Sequence, residues 1–191
     1  MTKTLKGSQT EINILTAFAG ESQARNRYTM AASVAKKEGY VKVSDIFLET
    51  AEQECEHAKR LFKFLEGGTA KIGGEFPAGL AGGLPEWLAS AAAGENYEWT
   101  VMYPGFAGIA RSEGFPAVAA AMEAIAKAEE FHEKRFLANL KEIKEGTFFR
   151  KPEKTVWRCR NCGYIHEGNE PPELCPACAH AIAYFEVLGS L

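Results

Sequence analysis

Long apolar segments are absent from this chain of 191 residues. No run approaches the roughly 18 consecutive apolar residues that a membrane-spanning helix needs. The N-terminal segment Met1–Ser8 also lacks the apolar stretch that a secretory leader carries. We therefore expect a soluble, cytoplasmic protein with no membrane partner.

An excess of basic residues is missing as well. The chain has 22 Lys and Arg against 25 Asp and Glu, which gives a net charge of −3. This balance does not indicate a basic surface that would bind a nucleic acid, or a polybasic patch that would bind a membrane surface. Hydrophobic residues make up 46% of the chain, so a sizeable core can be buried and disorder is not expected.

Cysteine is scarce, but its placement is informative. Two C-x-x-C pairs, Cys159 with Cys162 and Cys175 with Cys178, lie close together near the C-terminus, while Cys55 stands alone. In a cytoplasmic chain such pairs indicate a metal site rather than disulfides. Four thiolates form a tetrahedral site for Zn or Fe, and the spacing leaves both metals open for this four-cysteine site. Cys55 is interpreted as a packing residue.

Strong helix formers dominate residues 8 to about 146, and glycines and prolines divide them into four segments. Short turns at Gly39 and Gly114 predict two antiparallel hairpins. Ser8 or Thr10 is placed to cap the first helix, with Glu11 in position for a capping box. The four predicted helices cover about 8–37, 41–66, 84–112 and 116–145.

The link between the second and third helices is long. Residues 67–84 contain seven glycines, and this stretch can span about 60 Å at roughly 3.3 Å per residue. A link of that reach can run the whole length of the bundle, which predicts an all-α, ferritin-like four-helix bundle with one long crossover. We expect that bundle over residues 1–150 and a small metal-binding domain over 151–191.

Two segments match Glu-x-x-His, namely Glu54 with His57 and Glu129 with His132. On a helix, residues i and i+3 lie on one face, so each motif directs a carboxylate and an imidazole toward the same place. One such motif alone is typical of an ordinary solvated helix face. The chain carries two, one in each predicted hairpin.

Each hairpin also contributes an earlier glutamate. Glu21 lies 33 residues before Glu54, and Glu95 lies 34 residues before Glu129. The midpoint of each pair falls close to the predicted turn, so the two members are level across their hairpin. One Glu from each of two helices and one Glu-x-x-His from each of the others form the template of a di-iron site. A buried lattice of ion pairs is the alternative, and manganese would suit the same ligands.

The second half has one extra carboxylate. Glu98 lies three residues after Glu95, and Ala24 stands at the equivalent place in the first half. We therefore predict an asymmetric site. Tyr28 and Tyr103, which lie seven and eight residues after the first glutamate of their halves, are placed to donate hydrogen bonds to ligating carboxylates. Packing in the core is the other interpretation of these tyrosines.

Two resemblances add to this interpretation. The pattern Cys-x-x-Cys-Gly-Tyr followed by Cys-Pro-x-Cys resembles rubredoxin. The segments 15–28 and 128–135 resemble the first and last helices of the rubrerythrin family, which joins a ferritin-like di-iron bundle to a rubredoxin-like domain. The resemblance covers nearly the whole chain.

The resemblance implies reduction of hydrogen peroxide to water. Electrons would come ultimately from NADH, through a separate reductase or rubredoxin, and the protein would be a homodimer or a larger homo-oligomer. It further implies two irons in the carboxylate site and one in the four-cysteine site, about three per chain. One iron would exchange Glu98 for His57 as it changes oxidation state. The implied di-iron ligands are Glu21, Glu54, His57, Glu95, Glu98, Glu129 and His132.

Two other functions remain open from the sequence. The same carboxylates would serve a ferritin-like ferroxidase that oxidises Fe(II) and stores it, although a reductive relay through four cysteines has no obvious place in storage. A zinc ribbon on a structural bundle would instead be a non-catalytic interaction module.

Overall fold

The computed structural model describes residues 4–79 and 82–189. Residues 1–3 and 190–191, at the ends of the predicted domains, lie outside the described part, as do residues 80–81 of the predicted crossover. None of the described helices combines the length and the apolar character that crossing a membrane requires. The helical elements are α1 Gln9–Lys37, α2 Val41–Phe62, α3 Leu84–Tyr97, a π-helical segment Glu98–Met102, α4 Tyr103–Ser112 and α5 Pro116–Lys144.

The helices form two hairpins. α1 packs along α2, and the continuous rod of α3, the π segment and α4 packs along α5. Gly39 and Gly114 lie in the two tight turns with φ of 88° and 78°, a conformation that glycine adopts without steric cost. The long link then carries the chain from the first hairpin to the second, which confirms the predicted four-helix bundle with one crossover.

The start of α1 follows the prediction in part. Ser8 is the N-cap, and its hydroxyl accepts the backbone N–H of Glu11 at 3.0 Å. The carboxylate of Glu11 accepts the N–H of Gly7 at 2.8 Å, so the capping box closes one residue earlier than expected. Thr10 is not a cap, because its N–H and hydroxyl both donate to Glu113.

The second helix is shorter than predicted. α2 ends at Phe62, whereas the sequence suggested an end near Glu66. The carboxylate of Glu66 accepts the backbone N–H of Leu5 at 2.9 Å and the hydroxyl of Thr4 at 2.5 Å. Glu66 therefore fastens the N-terminal segment to the bundle instead of extending the helix.

The third helix is not continuous, which corrects the prediction of a single helix over 84–112. The π segment Glu98–Met102 divides it. A π turn accommodates one residue more than an α turn, and this explains a mismatch in the sequence. Tyr28 follows Glu21 by seven residues, or two α turns, whereas Tyr103 follows Glu95 by eight. The wider turn absorbs the extra residue.

Two hydrophobic cores fill the bundle, one toward each end, and the carboxylates lie between them. Burying these apolar side chains is the main force that holds the helices together. The first core includes Tyr28, Phe47, Trp87, Phe136 and Phe148. The second contains Ile14, Leu61, Tyr103, Phe115 and Met122.

A small sheet forms the C-terminal part. Its strands are β1 Thr155–Cys159, β2 Ile165–Gly168 and β3 Phe185–Val187, all antiparallel in the order β2-β1-β3. Trp157 and Phe185 are fully buried beside two of the cysteines and make a third core. The indole N–H of Trp157 donates to the carbonyl of Gly168 at 2.9 Å, so the buried ring has its polar atom satisfied.

The C-terminal part docks on the start of α2. The guanidinium of Arg160, one residue after Cys159, donates to the Asp45 carboxylate at 2.8 and 3.0 Å and also pairs with Glu186. The predicted boundary near residue 150 falls between the end of α5 and the start of β1. The division into domains 1–150 and 151–191 stays a prediction.

Candidate metal centre

Four helical rods converge on one polar cluster between the two hydrophobic cores. Two groups of four ligand atoms form there, and within each group all atoms lie within 4.8 Å of one another. Both groups contain Glu54 and Glu129. The first group is completed by Glu21 and His57, and the second by Glu95 and His132.

The two shared carboxylates divide their oxygens between the groups. In Glu54, Oε2 lies 3.2 Å from His57 Nδ1, and Oε1 lies 3.2 Å from His132 Nδ1. In Glu129, Oε1 lies 2.9 Å from His57 Nδ1, and Oε2 lies 2.7 Å from His132 Nδ1. One oxygen facing each way is the arrangement with which a carboxylate bridges two cations.

The remaining two carboxylates lie at the two ends of the cluster. Glu21 Oε2 lies 3.6 Å from His57 Nδ1, and Glu95 Oε2 lies 3.8 Å from His132 Nδ1. The cluster is thus nearly two-fold symmetric, because each half of the chain supplies one terminal Glu, one bridging Glu and one His.

The fit of metal to this cluster can be judged from its unsatisfied atoms. Burying a carboxylate oxygen without a hydrogen bond or a counterion is costly. Several buried atoms of the cluster have no hydrogen-bond partner among the described residues: Glu21 Oε2, Glu54 Oε1, Glu95 Oε2, Glu129 Oε1, Glu129 Oε2 and His132 Nδ1. Two cations would satisfy them, and carboxylate with imidazole is a donor set that suits iron.

Two tyrosines hold the terminal carboxylates across the bundle. The phenol of Tyr28 on α1 donates to Glu95 Oε1 on α3, and the phenol of Tyr103 on α4 donates to Glu21 Oε1 on α1. In each glutamate this leaves Oε2 directed at the cluster. Each hairpin therefore orients a carboxylate of the other.

One histidine has a further partner that sequence reasoning missed. His132 Nε2 lies 2.9 Å from Gln53 Oε1. An amide oxygen can only accept, so Nε2 carries a proton and Nδ1 is the nitrogen that faces the cluster and would bind a metal ion after losing its own proton. Gln53 precedes Glu54 on α2, and nothing in the motif itself singles it out.

The charges of the cluster are strongly perturbed. Burial, followed by the charge of Glu54, raises the pKa of Glu21 to about 8. Burial also raises the pKa of Glu95, to about 7, although His132 opposes it. Burial lowers the pKa of His132, but the neighbouring carboxylates outweigh this effect and raise it to about 12. Without metal, the cluster therefore holds several protons that a cation would displace.

Glu98 lies outside both groups of four. It is half-buried at the start of the π segment, and burial together with the charges of Glu21 and Glu95 raises its pKa well above the ordinary value. His57, its expected alternative, lies inside the first group. The structure thus brings together six of the seven predicted residues and leaves Glu98 beside them.

The four predicted cysteines form a second site. Cys159 Sγ lies 3.8 Å from Cys178 Sγ, and Cys162 Sγ lies 3.6 Å from Cys175 Sγ. A tetrahedron with metal–sulfur bonds of about 2.3 Å has edges of about 3.8 Å, so the spacing fits one metal ion. All four are free thiols.

The two cysteine turns share one backbone design. Gly163 and Ala179 each follow the second cysteine of a pair, with φ of 80° and 56°, and each donates its N–H to the carbonyl of the first cysteine at 2.8 Å. A hydrogen bond from the backbone N–H of His180 lowers the pKa of Cys178 to about 6. Donors directed at sulfur in this way stabilise the thiolate and tune the potential of a bound metal.

Together, the bundle and its two sites define a class of protein. A bundle with a pair of metal positions that share two carboxylates, and a four-cysteine metal site on the same chain, has the architecture of a non-haem di-iron protein with a second metal centre.

Comparison with known proteins assigns the family. Residues 13–140 match the family model Rubrerythrin, and residues 157–186 match Rubrerythrin, rubredoxin-like domain. Rubrerythrin of Nitratidesulfovibrio vulgaris is 62% identical over 187 residues, covering 98% of each chain. Rubrerythrin of Porphyromonas gingivalis is 57% identical, covering 97% of this chain and 93% of its own. A solved structure of nigerythrin in a mixed-valence state has 31% identity and a TM-score of 0.64 over 97% of this chain and 88% of that one.

The chain belongs to the rubrerythrin family. Its cofactors are two irons in the carboxylate site and one iron in the four-cysteine site, which decides between zinc and iron for the cysteine pattern. The chain is an oxidoreductase whose rubredoxin-like part serves electron transfer.

Proposed function

We propose that this chain is a peroxidase that reduces hydrogen peroxide to water. The observation that carries the proposal is the pair of four-atom groups that share Glu54 and Glu129, on the same chain as a four-cysteine site. Reduction of peroxide takes two electrons and two protons and gives two molecules of water. Two irons held by these residues would supply both electrons.

In this proposal the residues of the cluster have distinct roles. Glu54 and Glu129, which belong to both groups, would hold both metal ions, and each of the other ligands would hold one. Tyr28 and Tyr103 keep the terminal carboxylates in place. Glu98 lies at the edge of the cluster, half-buried at the start of the π segment. The proposed ligands are Glu21, Glu54, His57, Glu95, Glu98, Glu129 and His132.

Glu98 and His57 are proposed to alternate at the first metal position. In this structure His57 Nδ1 lies within 3.6 Å of three carboxylates. Glu98 belongs to neither group of four ligand atoms. Glu98 begins the π segment, a type of turn that is frequent at functional sites. Crystal structures of the oxidised and the reduced iron protein test this point. If His57 is bound and Glu98 unbound in both, the two do not alternate.

The four-cysteine site is proposed to relay electrons one at a time from an external reductase or rubredoxin, supplied ultimately by NADH. It docks near Asp45, nine residues before Glu54 on α2, which corresponds to about 14 Å along the helix. The proposal includes a homodimer or larger oligomer, as the family resemblance implies, in which the four-cysteine site of one copy serves the carboxylate site of another. The free thiols are consistent with a reducing cytoplasm.

Rapid mixing tests the reaction. The fully reduced protein is mixed with hydrogen peroxide, and the visible absorbance of the iron at the four cysteines is followed. We expect both sites to oxidise within seconds and two molecules of water to form per peroxide. If both sites stay reduced for minutes, the peroxidase proposal fails. Faster oxidation with Fe(II) and O2, with iron accumulating in the protein, would favour a ferroxidase.

Mixed oligomers test the relay. Cys162→Ser disables the four-cysteine site and His132→Ala disables the carboxylate site, so each variant alone should be inactive with an external donor. We expect a mixture refolded together to regain activity through the hybrids. If it stays inactive although hybrids form, electrons do not pass between copies.

A further inference from the structure

One cavity opens beside the carboxylate cluster, at Glu98. It has a volume of about 400 Å³ and lies between the crossover, the middle of α1 and the π segment. Glu98 forms part of its wall. A molecule of hydrogen peroxide, with two heavy atoms, fills only a small part of such a space.

The wall of this cavity is largely apolar. Phe76 is a half-buried residue of the crossover, and its ring lies over Gly20 on α1. A Cβ added at Gly20 would lie 3.9 Å from that ring and 4.0 Å from Glu98 Oε1, so the absent side chain leaves the passage to Glu98 open. The other apolar members of the wall are Gly94, Met102, Phe106 and Pro77.

The crossover is held over this cavity by a polar contact. The Gln23 amide donates to the carbonyl of Pro77 at 3.2 Å. A Cβ at Gly74 would lie 3.0 Å from the Phe76 ring, so a larger residue there would displace the ring. The crossover therefore holds Phe76 in one place as a wall.

The cavity also has polar residues in its wall. Thr16, Gln23, Arg27, Glu75 and Glu98 contribute to it. An apolar wall with a few polar groups is typical of a site for a small molecule that is apolar at one end and carries oxygen at the other.

We propose that this cavity binds the organic group of alkyl and aryl hydroperoxides, and that the chain reduces these as well as hydrogen peroxide. The proposal rests on the peroxidase function. The O–O group lies toward Glu98 and the hydrocarbon group lies against Phe76. The O–O bond of ROOH breaks, two electrons come from the same external donor and two protons are taken up, and the products are ROH and water.

Substrate preference tests the proposal in the iron-loaded protein. The value of kcat/KM is measured for hydrogen peroxide, tert-butyl hydroperoxide and cumene hydroperoxide with one reduced donor. We expect all three to be reduced. Gly94→Leu places a side chain in the cavity and should lower the ratio of cumene hydroperoxide to hydrogen peroxide by about ten-fold or more, as filling an apolar pocket does. Gly108→Leu, at an exposed helical position that is open within 4 Å, is the matched control and should keep the wild-type ratio.

Binding without turnover gives an independent readout. The zinc-loaded protein is redox-silent and is titrated with 2-phenyl-2-propanol, the alcohol formed from cumene hydroperoxide, while backbone amide resonances are followed. We expect saturable shifts at Gly20, Gly74 and Gly94 but not at Gly108. Phe76→Ala changes only the crossover and should weaken this binding by at least about five-fold, because it removes an apolar wall.

The outcomes separate the two proposals. Reduction of hydrogen peroxide without either organic hydroperoxide, or no saturable shift around the cavity, overturns the organic-substrate proposal and leaves the peroxidase intact. An equal ratio in Gly94→Leu and Gly108→Leu also overturns it. Failure to reduce any of the three substrates overturns both.

Discussion

Single residues in the two cysteine turns show how backbone conformation supports a metal site. Gly163 and Ala179 hold the same place in the two turns, both with positive φ. Glycine takes up this conformation freely, while an L-residue such as alanine meets a steric cost of about 1–2 kcal/mol. The turn with Ala179 is thus the more strained of the two.

Exchanging these residues should change metal retention in opposite directions. Gly163→Ala adds strain of about 1 kcal/mol and should speed the loss of iron to a chelator by about five-fold. Ala179→Gly removes strain and should slow it. The decay of the visible absorbance measures both rates. A Cβ at Gly163 meets no atom within 4 Å, so a clash cannot account for the result. Equal rates in all three proteins would rule out backbone strain as the cause.

Gln53 acts through His132. Gln53→Leu removes the acceptor for Nε2–H, so the ring can take up the other tautomer, and iron affinity of the carboxylate site should fall by about ten-fold or more. Gln53→Glu keeps an acceptor and should restore binding. Metal competition titrations measure the affinity. An unchanged affinity in Gln53→Leu would show that the contact at 2.9 Å has no role in orienting the ring.

Protons compete with metal at the cluster. In the metal-free protein, Glu21 and Glu95 keep their protons below their pKa values of about 8 and about 7. Metal binding must displace these protons, so apparent affinity should rise as pH rises from about 6 to about 8. His132 must lose a proton as well, which acts in the same direction. Zn(II) titrations at several pH values measure the trend, and a flat profile would contradict it.

At the scale of the elements, the π segment sets the register between Glu95 and Tyr103. Inserting one alanine after Thr100 would add a second extra residue, which this single wide turn does not absorb, and would rotate α4 by about 100° relative to α3. Tyr103 would then leave Glu21, and the carboxylate site should lose most of its iron while the iron at the four cysteines remains. Iron analysis and the visible spectrum measure the two sites. Insertion of one alanine after the exposed Thr69 in the crossover is the control. Full iron content after the insertion at Thr100 would show that this register is not needed.

Much of this arrangement could be predicted from the sequence. The repeated spacing of Glu21 to Glu54 and Glu95 to Glu129 indicated which glutamates would meet, because hairpin geometry follows from the turn position. The π segment was not predicted, although the difference between seven and eight residues before Tyr28 and Tyr103 contained the signal. Helical periodicity treats every turn as equal, so an extra residue within a helix is easily overlooked.

Other features had no signal in the chain. The contact of Gln53 with His132 joins two helices that are far apart in sequence, and one glutamine on a polar helix resembles any other. The cavity beside Glu98 depends on where the crossover comes to rest. Its glycines indicated a flexible link, and only the fold shows that Phe76 lies against Gly20.

At the scale of the whole molecule, the C-terminal sheet and the bundle are joined by few polar contacts. Asp45→Ala removes the α2 partner of Arg160, a partly exposed pair worth at most about 1 kcal/mol. We expect little change in thermal stability but cleavage several-fold faster between residues 145 and 154 in limited proteolysis. Glu123→Ala breaks a comparable surface pair with Arg111 within the bundle and is the control. Equal cleavage of both variants would show that Asp45 does not hold the parts together.

The crossed tyrosines have a consequence for the assembly of the molecule. Tyr28 of the first hairpin holds Glu95 of the second, Tyr103 of the second holds Glu21 of the first, and Glu54 and Glu129 come one from each. Neither hairpin contains a complete set of ligands. Each iron therefore binds ligands from both hairpins and links the two halves of the molecule. If the chain were cut in its exposed crossover, the two fragments would associate more tightly with metal than without it, and iron supply would control their reassembly.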